Sequence, residues 1–285
     1  MTHSLNTFGL EWTPELDEFL SKNLHTFSAV EIIPENFLEG RFSNFLDLLR
    51  ETQIPVSVHG VSLSIGSADT LKTAHLREVL KLIQGLNVHS YSEHLSMTEI
   101  GGIQFDALTP LAWTKSQLDL VCDRISEIQG YLSTPFLIEN VANRFVIPRA
   151  DFKEVDFINS VIRRTGCGLL LDVTNVFTNS LNFKFNPETW LDSVDLSAVR
   201  AIHLAGGFTD TDGFLMDSHD NRISDEVWGL YSKVMARSTG VMTIIERTGN
   251  LPDYAELIGE LDQAAVISGA RNIQTRPGSP VEANL

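Results

Sequence analysis

Short apolar runs alternate with segments of helical periodicity along the chain, and this alternation limits the possible folds more than any other feature. Strand–helix repeats form parallel sheets, so eight repeats predict a (β/α)8 TIM barrel of the α/β class. The predicted strands are Thr7–Leu10, Ala29–Ile33, Pro55–His59, His89–His94, Phe136–Glu139, Gly168–Asp172, Ala198–His203 and Met242–Glu246.

The segments between these runs place apolar residues three and four positions apart, which predicts amphipathic helices. The predicted helices are Pro14–Lys22, Ser43–Glu51, Ser67–Gln84, Lys115–Tyr131, Asp151–Arg164, Pro187–Asp192, Ser224–Ala236 and Pro252–Ala264. Ser67 and Ser224 are suited to N-caps. Pro14, Pro187 and Pro252 are suited to first helical turns.

A length of 285 residues suits one barrel or two smaller domains. No linker-like stretch interrupts the alternation, so we predict a single catalytic barrel over residues 1–272 and a flexible C-terminal tail over 273–285. The connections Leu95–Thr114 and Ala205–Ile223 are long, and such βα loops build the active-site face of a barrel.

The charge and the cysteine content exclude several classes of function. The formal net charge is −16, and only 21 Lys and Arg are spread along the chain, which argues against a nucleic-acid partner. Cys122 and Cys167 form no CxxC pair, so neither a thiolate zinc site nor a disulfide framework is predicted. The chain begins with no signal-like segment and has no apolar run of about 18 residues, so we predict a cytoplasmic protein without a membrane partner.

Six consecutive predicted strands end in a histidine or a carboxylate. The residues are His59, His94, Glu139, Asp172, His203 and Glu246. Parallel barrel strands bring their carboxyl ends to one rim, so these six side chains are expected to converge where barrel enzymes perform their chemistry.

A single histidine at a strand end is more often a hydrogen-bonded rim residue, and a single carboxylate more often belongs to an ion pair. Six such groups brought together without a cation would leave several desolvated charges that repel one another. The pattern therefore predicts a metal centre, with these residues as catalytic ligands.

Three more candidate ligands follow in the loops. Asp217 and His219 are two residues apart, so an extended segment would point both side chains the same way. Asn175 lies three residues past Asp172, where an amide oxygen can bind metal or cap a helix. Nine possible ligands imply two or three ions, and nitrogen and oxygen donors without thiolate suit iron, manganese or zinc.

Four further residues near the strand ends are candidate substrate contacts. Glu35 and Asn36 follow the second strand, and a structural hydrogen-bonding role is an equal alternative for both. Asn140 and Arg144 follow Glu139, and either could meet a substrate carboxylate.

The motifs around these residues resemble those of a known family. They are Val58-His-Gly-Val-Ser-Leu-Ser-Ile-Gly66, Ser92-Glu-His-Leu-Ser96, Ile138-Glu-Asn140, Leu170-Leu-Asp-Val-Thr-Asn175, Ile202-His-Leu-Ala-Gly206 and Asp217-Ser-His219. In this order they resemble the multinuclear non-haem iron-dependent oxidative enzymes that include the methanobactin-biosynthesis enzyme MbnB. The resemblance extends from about Glu31 to Glu246, which is nearly the whole fold.

The resemblance implies iron, O2 as co-substrate, and a cysteine in a ribosomally made precursor or scaffold peptide. It also implies a small leader-binding partner protein that forms a heterodimer with the enzyme. One branch forms an oxazolone and a thioamide. The branch of TglH, in 3-thiaglutamate (pearlin-type) biosynthesis, excises the β-carbon of a C-terminal cysteine, and the sequence Leu204-Ala-Gly-Gly-Phe208 resembles that branch more closely.

The resemblance also implies roles for the candidate ligands. The six strand-end residues would hold two central irons in mixed Fe(II)/Fe(III) states, and Asn175, Asp217 and His219 would complete a third site. Many relatives have Asp-Val-Asn-Asn where this chain has Asp172-Val-Thr-Asn175. The change to Thr174 is expected to leave metal binding intact and to alter the residues that surround the ligands.

Other classes of function remain open from the residues alone. Divalent-metal sugar isomerases and epimerases also gather Glu, Asp and His at strand ends, but they typically add a catalytic lysine or paired glutamates, and no lysine ends a predicted strand here. The net charge disfavours a DNA-repair endonuclease barrel. A non-enzymatic metal-binding scaffold is the remaining alternative.

Overall fold

The computed structural model describes residues 6–270 and confirms the barrel. The strands in this range are β1 (Thr7–Glu11), β2 (Ala29–Ile32), β3 (Pro55–Gly60), β4 (Asn87–His94), β5 (Met97–Ile100), β6 (Ile103–Thr109), β7 (Phe136–Glu139), β8 (Gly168–Asp172), β9 (Val199–Leu204), β10 (Phe208–Thr209), β11 (Leu215–Met216) and β12 (Met242–Ile245). Eight of them form a closed parallel barrel in the order β1-β2-β3-β4-β7-β8-β9-β12. The tail predicted over 273–285 lies outside the described residues.

Helices occupy the connections between the barrel strands. They are α1 (Asp17–Asn23), α2 (Ser43–Thr52), α3 (Thr73–Leu82), α4 (Lys115–Gln129), α5 (Glu154–Thr165), α6 (Val173–Phe183), α7 (Pro187–Ser193), α8 (Asp225–Met235) and α9 (Tyr254–Ile267). Short 3-10 helices cover Pro14–Leu16, Leu24–Thr26, Pro34–Gly40 and Leu196–Ala198. None of the helices within 6–270 has the length and apolar content to cross a membrane.

Three of the predicted helix starts, Ser67, Asp151 and Pro252, differ from the structure, and α5 begins at Glu154. Ser67 does not cap α3, which begins at Thr73, because its hydroxyl accepts a hydrogen bond from the Asp69 backbone at 3.1 Å in a turn. Pro252 precedes the cap of α9, and the side chain of Asp253 accepts from the Ala255 backbone instead. The predicted N-cap at Ser224 is confirmed by its hydrogen bond from the Val227 backbone.

Helix α6 was not predicted. It follows β8 directly, and Asp172 is both the last strand residue and the N-cap, since its side chain accepts a hydrogen bond from the Asn175 backbone at 2.8 Å. The strand passes into the helix at one residue, with no glycine or proline between the two elements to mark a boundary in the sequence. A candidate ligand is thereby fixed at a strand–helix junction.

The barrel interior changes from apolar to polar along the strands. Its apolar part consists of six buried residues, Ala29, Leu137, Leu170, Ala201, Met242 and Ile244. The interior positions nearer the carboxyl ends carry Ser57, Ser92, Glu31 and His203, all of them buried. The apolar part closes the barrel beneath the rim, so the polar groups above it lie in a site with a sealed floor.

The strand register puts the predicted rim residues beside one another. His94 pairs with Glu139 between β4 and β7, and Asp172 pairs with His203 between β8 and β9. The two long βα connections contain two-stranded antiparallel sheets, β5–β6 and β10–β11, which the alternation of apolar runs did not reveal.

Candidate metal centre

His59, His94 and Glu139 form a compact triangle of possible ligand atoms. His59 Nε2 lies 3.3 Å from His94 Nε2 and 3.4 Å from Glu139 Oε2, and His94 Nε2 lies 3.3 Å from Glu139 Oε2. Ligands about 2.1 Å from one ion lie about 3.0 Å apart at octahedral angles and about 3.4 Å apart at tetrahedral angles. The triangle therefore has the dimensions of three ligands on one face of an ion.

The surroundings orient the imidazole of His59 and keep that of His94 uncharged. Ser92 Oγ lies 2.8 Å from His59 Nδ1 within the barrel, which leaves Nε2 facing Glu139. Burial lowers the pKa of His94 to about 4, although Glu139 opposes the shift. A neutral imidazole has the free lone pair that a metal ion requires.

Glu139 links this triangle to a second group of ligands. Its Oε1 lies 3.4 Å from His203 Nδ1, and His203 Nδ1 lies 3.2 Å from Glu246 Oε2. The other oxygen of Glu139 already faces His59 and His94. Glu139 could therefore contribute a ligand oxygen to each of the two groups.

Asp217 and His219 come together as the sequence predicted, but by a different backbone route. Asp217 Oδ1 lies 2.8 Å from His219 Nε2, and His219 Nε2 lies 3.7 Å from Glu246 Oε2. His219 has a φ of 55°, so the segment turns through the left-handed region and is not extended. Two members of the third predicted group therefore lie together, and His219 is adjacent to Glu246.

The described residues contain four overlapping groups whose possible ligand atoms lie within 4.8 Å of one another. The groups are His59, His94 and Glu139; Glu139, Asp172 and His203; Glu31, His203 and Glu246; and Glu11, His219 and Glu246. Every strand-end residue predicted from the sequence is included, and three residues are shared between groups.

Glu11 and Glu31 were missed by the sequence analysis. Glu11 directly follows the first predicted strand, and Glu31 interrupts the apolar run of β2, where a carboxylate has no packing role. They are neighbours in the β1–β2 register. Burial, together with Glu246 and Glu31, raises the pKa of Glu11 to about 8. The signal for Glu31 was an acidic residue inside an apolar run, and the signal for Glu11 was an acidic residue directly after one, as at the other strand ends.

Several buried polar atoms at this rim have no hydrogen-bond partner among the described residues. They are Glu31 Oε1, His94 Nδ1, Glu139 Oε2, Asp172 Oδ2, Asn175 Oδ1, His203 Nδ1 and Nε2, Asp217 Oδ1, His219 Nε2 and Glu246 Oε2. Buried polar groups are normally paired, because an unpaired one costs about 1–3 kcal/mol. The oxygens of Glu139, Asp172, Asn175, Asp217 and Glu246, together with His203 Nδ1 and His219 Nε2, satisfy this requirement if they share cations, so the residues fit a multinuclear metal centre.

The charges at the rim support the same interpretation. Burial raises the pKa of Asp172 well above its usual value, and Asp217 and Glu139 add to the shift. Burial alone would also raise the pKa of Glu246, but His203 and His219 hold it well below its usual range. Carboxylates this close together repel one another, and bound cations relieve the repulsion.

Asn140 positions the backbone of Asp172, and its predicted contact with a substrate remains a prediction. Its Nδ2 donates to the Asp172 carbonyl at 2.8 Å, and its Oδ1 accepts from the Asp172 N–H at 3.0 Å. The carbonyl of Asn140 in turn accepts from Asn175 Nδ2 at 3.2 Å. Asn175 Oδ1 is left without a partner, as a weak ligand would be. Thr174 bonds through its hydroxyl to both backbone groups of Ala205.

Glu35 and Asn36 are in none of the four ligand groups. Glu35 Oε1 pairs with His75 Nε2 of α3 at 3.0 Å, and the Asn36 backbone donates to the Ile33 carbonyl in the 3-10 helix after β2. Their predicted contact with a substrate remains a prediction.

Arg144 is exposed and lines a cavity of about 190 Å³ that reaches Asp217. The cavity walls come from β6, the loops after β7 and β9, and α6. Its apolar residues include Leu108, Phe214 and Met216. Arg144 is therefore placed where a ligand that enters from the β7 loop could approach the candidate metal centre.

The similarity to solved structures concerns the fold alone. A D-psicose 3-epimerase structure in the presence of D-fructose superposes with a TM-score of 0.54 at 14% identity, covering 94% of this chain and 96% of that chain. A xylose isomerase-like TIM barrel protein from Mycobacterium smegmatis in complex with magnesium gives a TM-score of 0.57 at 12% identity, covering 94% and 97%.

Sequence relatives are much closer. A UPF0276 protein of Rhizorhabdus wittichii is 37% identical over 273 residues, which is 95% of this chain and 97% of that protein. One from Caulobacter vibrioides is 35% identical over 253 residues, covering 88% and 90%. The family model described as RiPP precursor modification enzyme MbnB/TglH/ChrH matches residues 7–268. With the whole described barrel matched, the chain belongs to the MbnB/TglH/ChrH family.

Proposed function

We propose that this protein is a multinuclear iron enzyme that uses O2 to modify a cysteine of a ribosomally made precursor or scaffold peptide. The reaction that we favour is excision of the β-carbon from a C-terminal cysteine, as in 3-thiaglutamate biosynthesis. The observation that supports this most is the set of unpaired nitrogen and oxygen atoms around Glu139, His203 and Glu246. Family membership supports a peptide substrate.

His59, His94 and Glu139 would hold one iron, while Asp172, His203 and Glu246 would complete a second with the shared carboxylate. Asn175, Asp217 and His219 would hold a third. When bound, iron supplies the Lewis acidity and redox capacity to bind a cysteine thiolate and activate O2. The chain's own residues bury His94 so that its pKa is lowered to about 4, hold the backbone of Asp172 through the side chain of Asn140, and close the floor of the site with apolar side chains.

The cavity at Asp217 supports a peptide whose cysteine is at its C-terminus. Arg144 contributes a guanidinium, which binds carboxylates through paired hydrogen bonds. Phe214, Leu215 and Met216 contribute apolar area for neighbouring side chains. We propose that Arg144 binds the terminal carboxylate while the thiol faces the metal centre.

Oxazolone and thioamide formation from an internal cysteine is the alternative within the family. An internal cysteine has an amide in place of the terminal carboxylate, so Arg144 would have no anionic partner there. The masses of the two products differ, which separates the alternatives in one analysis.

We also propose that a separate leader-binding protein presents the peptide as part of a heterodimer. A mobile peptide loses entropy when one cysteine is fixed at a metal, and tethering offsets this by raising the effective concentration to about the millimolar range. A cytoplasmic location suits the reaction, because reducing conditions keep the substrate thiol free.

The test is to load the protein with iron under anaerobic conditions and then supply O2 and a precursor peptide that ends in cysteine. We expect O2 uptake together with a product that has lost the β-carbon, and neither with the His59→Ala variant. Rates for precursor and for a two-residue mimic, each with and without the partner, test the tether. Epimerisation of a ketose without O2 uptake would contradict the proposal and favour a sugar epimerase.

A further inference from the structure

We propose that Glu31 is a positioning residue that keeps the proton of His203 on Nε2, so that Nδ1 presents its lone pair to the metal centre. This inference rests on the metal centre of the proposed function, but not on iron, O2 or the peptide. Glu31 and His203 are both fully buried, each with a relative exposure of 0%.

The two nitrogens of His203 face different surroundings. Nδ1 lies 3.4 Å from Glu139 Oε1 and 3.2 Å from Glu246 Oε2, which are shared by the other ligand groups. Nε2 lies 2.9 Å from Glu31 Oε1, although the contact is not aligned as a hydrogen bond. The side of His203 that faces the centre is thus Nδ1, and its opposite side faces Glu31.

A metal-bound neutral imidazole has one nitrogen on the ion and the proton on the other nitrogen. If Nδ1 binds the ion, the proton on Nε2 is buried and requires an acceptor. Glu31 is the carboxylate next to it. A carboxylate on the far nitrogen of a ligating histidine fixes the tautomer and the ring orientation, and it makes the imidazole a stronger ligand.

Glu31 is itself held in place from the next strand. Ser57 Oγ donates to Glu31 Oε2 at 2.7 Å, and Glu31 pairs with Ser57 in the β2–β3 register. The hydroxyl occupies one carboxylate oxygen and leaves Oε1 for His203. Ser57, Glu31 and His203 therefore form a chain of contacts that ends at the centre.

This arrangement predicts a selective loss of metal affinity when Glu31 is changed. Removal of a carboxylate partner of a ligating histidine typically weakens metal binding by about 10–100-fold. The loss should concern the ion that His203 binds. An ion at His59 and His94 should be retained, because Ser92 orients His59 independently of Glu31.

The test is an anaerobic titration of the metal-free full-length protein with Co(II), whose visible absorption reports each equivalent. Glu31→Gln keeps the shape of the side chain and removes the charge, whereas Glu31→Ala removes the acceptor. We expect about 10–100-fold weaker binding of one equivalent in Glu31→Ala, a smaller loss in Glu31→Gln, and unchanged binding of the equivalent at His59 and His94.

Glu93→Gln is the matched control. Glu93 is a buried carboxyl on β4 that accepts hydrogen bonds from Tyr91 and the Leu63 backbone and is in none of the ligand groups. Its replacement should leave every equivalent at wild-type affinity. A second readout is nitrogen NMR of the Zn(II)-loaded protein with labelled histidine, which should show His203 protonated at Nε2 in the wild type.

The inference would be overturned if both Glu31 variants bound Co(II) with wild-type affinity, or if the affinity for every equivalent fell equally. It would also be overturned if His203 of the wild type were protonated at Nδ1. Co(II) binding that follows the expected pattern without any turnover of a cysteine peptide would overturn the proposed function and leave the role of Glu31 intact. A wild-type protein that binds no Co(II) would contradict both.

Discussion

Asn140 fixes the backbone of Asp172 from both sides, since Nδ2 donates to the Asp172 carbonyl at 2.8 Å and Oδ1 accepts from its N–H at 3.0 Å. Asp172 is the last residue of β8, and Asn140 directly follows the end of the neighbouring strand β7. The side chain of Asn140 bonds to the backbone of β8 where the backbone pairing between the two strands stops. The candidate ligand Asp172 is therefore held in place by Asn140, the residue that directly follows the candidate ligand Glu139.

We expect Asn140→Ala to destabilise the fold by about 1–3 kcal/mol, because two buried backbone groups lose their partners. Metal affinity should fall as well, since Asp172 loses its fixed position. Chemical denaturation of the metal-free protein and a metal titration measure the two effects separately.

Asn159→Ala is the control for that substitution. Asn159 makes the same pair of bonds, to the Ser193 carbonyl and from the Asp195 N–H, but on the outer helical layer. Its replacement should leave metal affinity unchanged. Equal metal affinities in Asn140→Ala and Asn159→Ala would show that the bond to Asp172 has no part in positioning the ligand.

Loss of single ligands should remove activity without loss of the fold. In His59→Ala, Glu139→Ala and His203→Ala, we expect turnover near background and a cooperative unfolding transition, because rim residues contribute less to the core than to the site. Asn175→Ala should have a milder effect, since an amide oxygen is a weak ligand. Near-normal turnover in all four variants would mean that the ligands are misassigned.

Arg144 should distinguish a peptide acid from a peptide amide. We expect a peptide that ends in a free carboxylate to have a lower KM than its C-terminal amide, and Arg144→Gln to remove the difference because the guanidinium is lost. Arg149→Gln, on an exposed arginine of the same loop outside the cavity lining, is the control and should retain the preference. If Arg144→Gln still has a lower KM for the peptide acid than for the amide, the terminal carboxylate binds to a residue other than Arg144.

Glu154 should make the stability depend on pH. Burial raises the pKa of Glu154 from 4.5 to about 7, although Asn143 and Trp190 donate hydrogen bonds to it. The folded state then keeps a proton that the unfolded state releases near pH 4.5. The contribution is complete below that pH and is lost as the pH rises through about 7.

Denaturation midpoints of metal-free wild type and Glu154→Gln between pH 4 and 8 measure this dependence. The wild type should lose stability across the interval relative to the variant, which has no proton to release at this position. Parallel curves for the two proteins would contradict the assignment.

Most of the barrel and its rim could be predicted because both depend on local patterns. A strand such as Phe136–Glu139 is a short apolar run that ends in a polar residue, and parallel strands must bring such ends together. Asp217 and His219 were predicted to converge because they are close in sequence. The turn at His219 that brings them together depends on tertiary contacts, including the hydrogen bond from the Thr248 backbone to the His219 carbonyl.

The partners of the ligands could not be predicted in the same way. Glu31 reaches His203 across the barrel interior, and this contact depends on the closure of the sheet between β1 and β12. The role of Asn140 depends on the register between β7 and β8, which no local pattern fixes. Helix α6 was missed because Asp172 ends a strand and begins a helix at one residue.

The most direct test of the metal centre is the metal content of protein that has been purified without oxygen. Elemental analysis, with activity measured on the same sample, should give about two to three irons per chain, as the number of nitrogen and oxygen ligands implies. His59→Ala and His203→Ala should each contain less iron than the wild type. Stoichiometric zinc, with activity that does not depend on iron, would contradict the account.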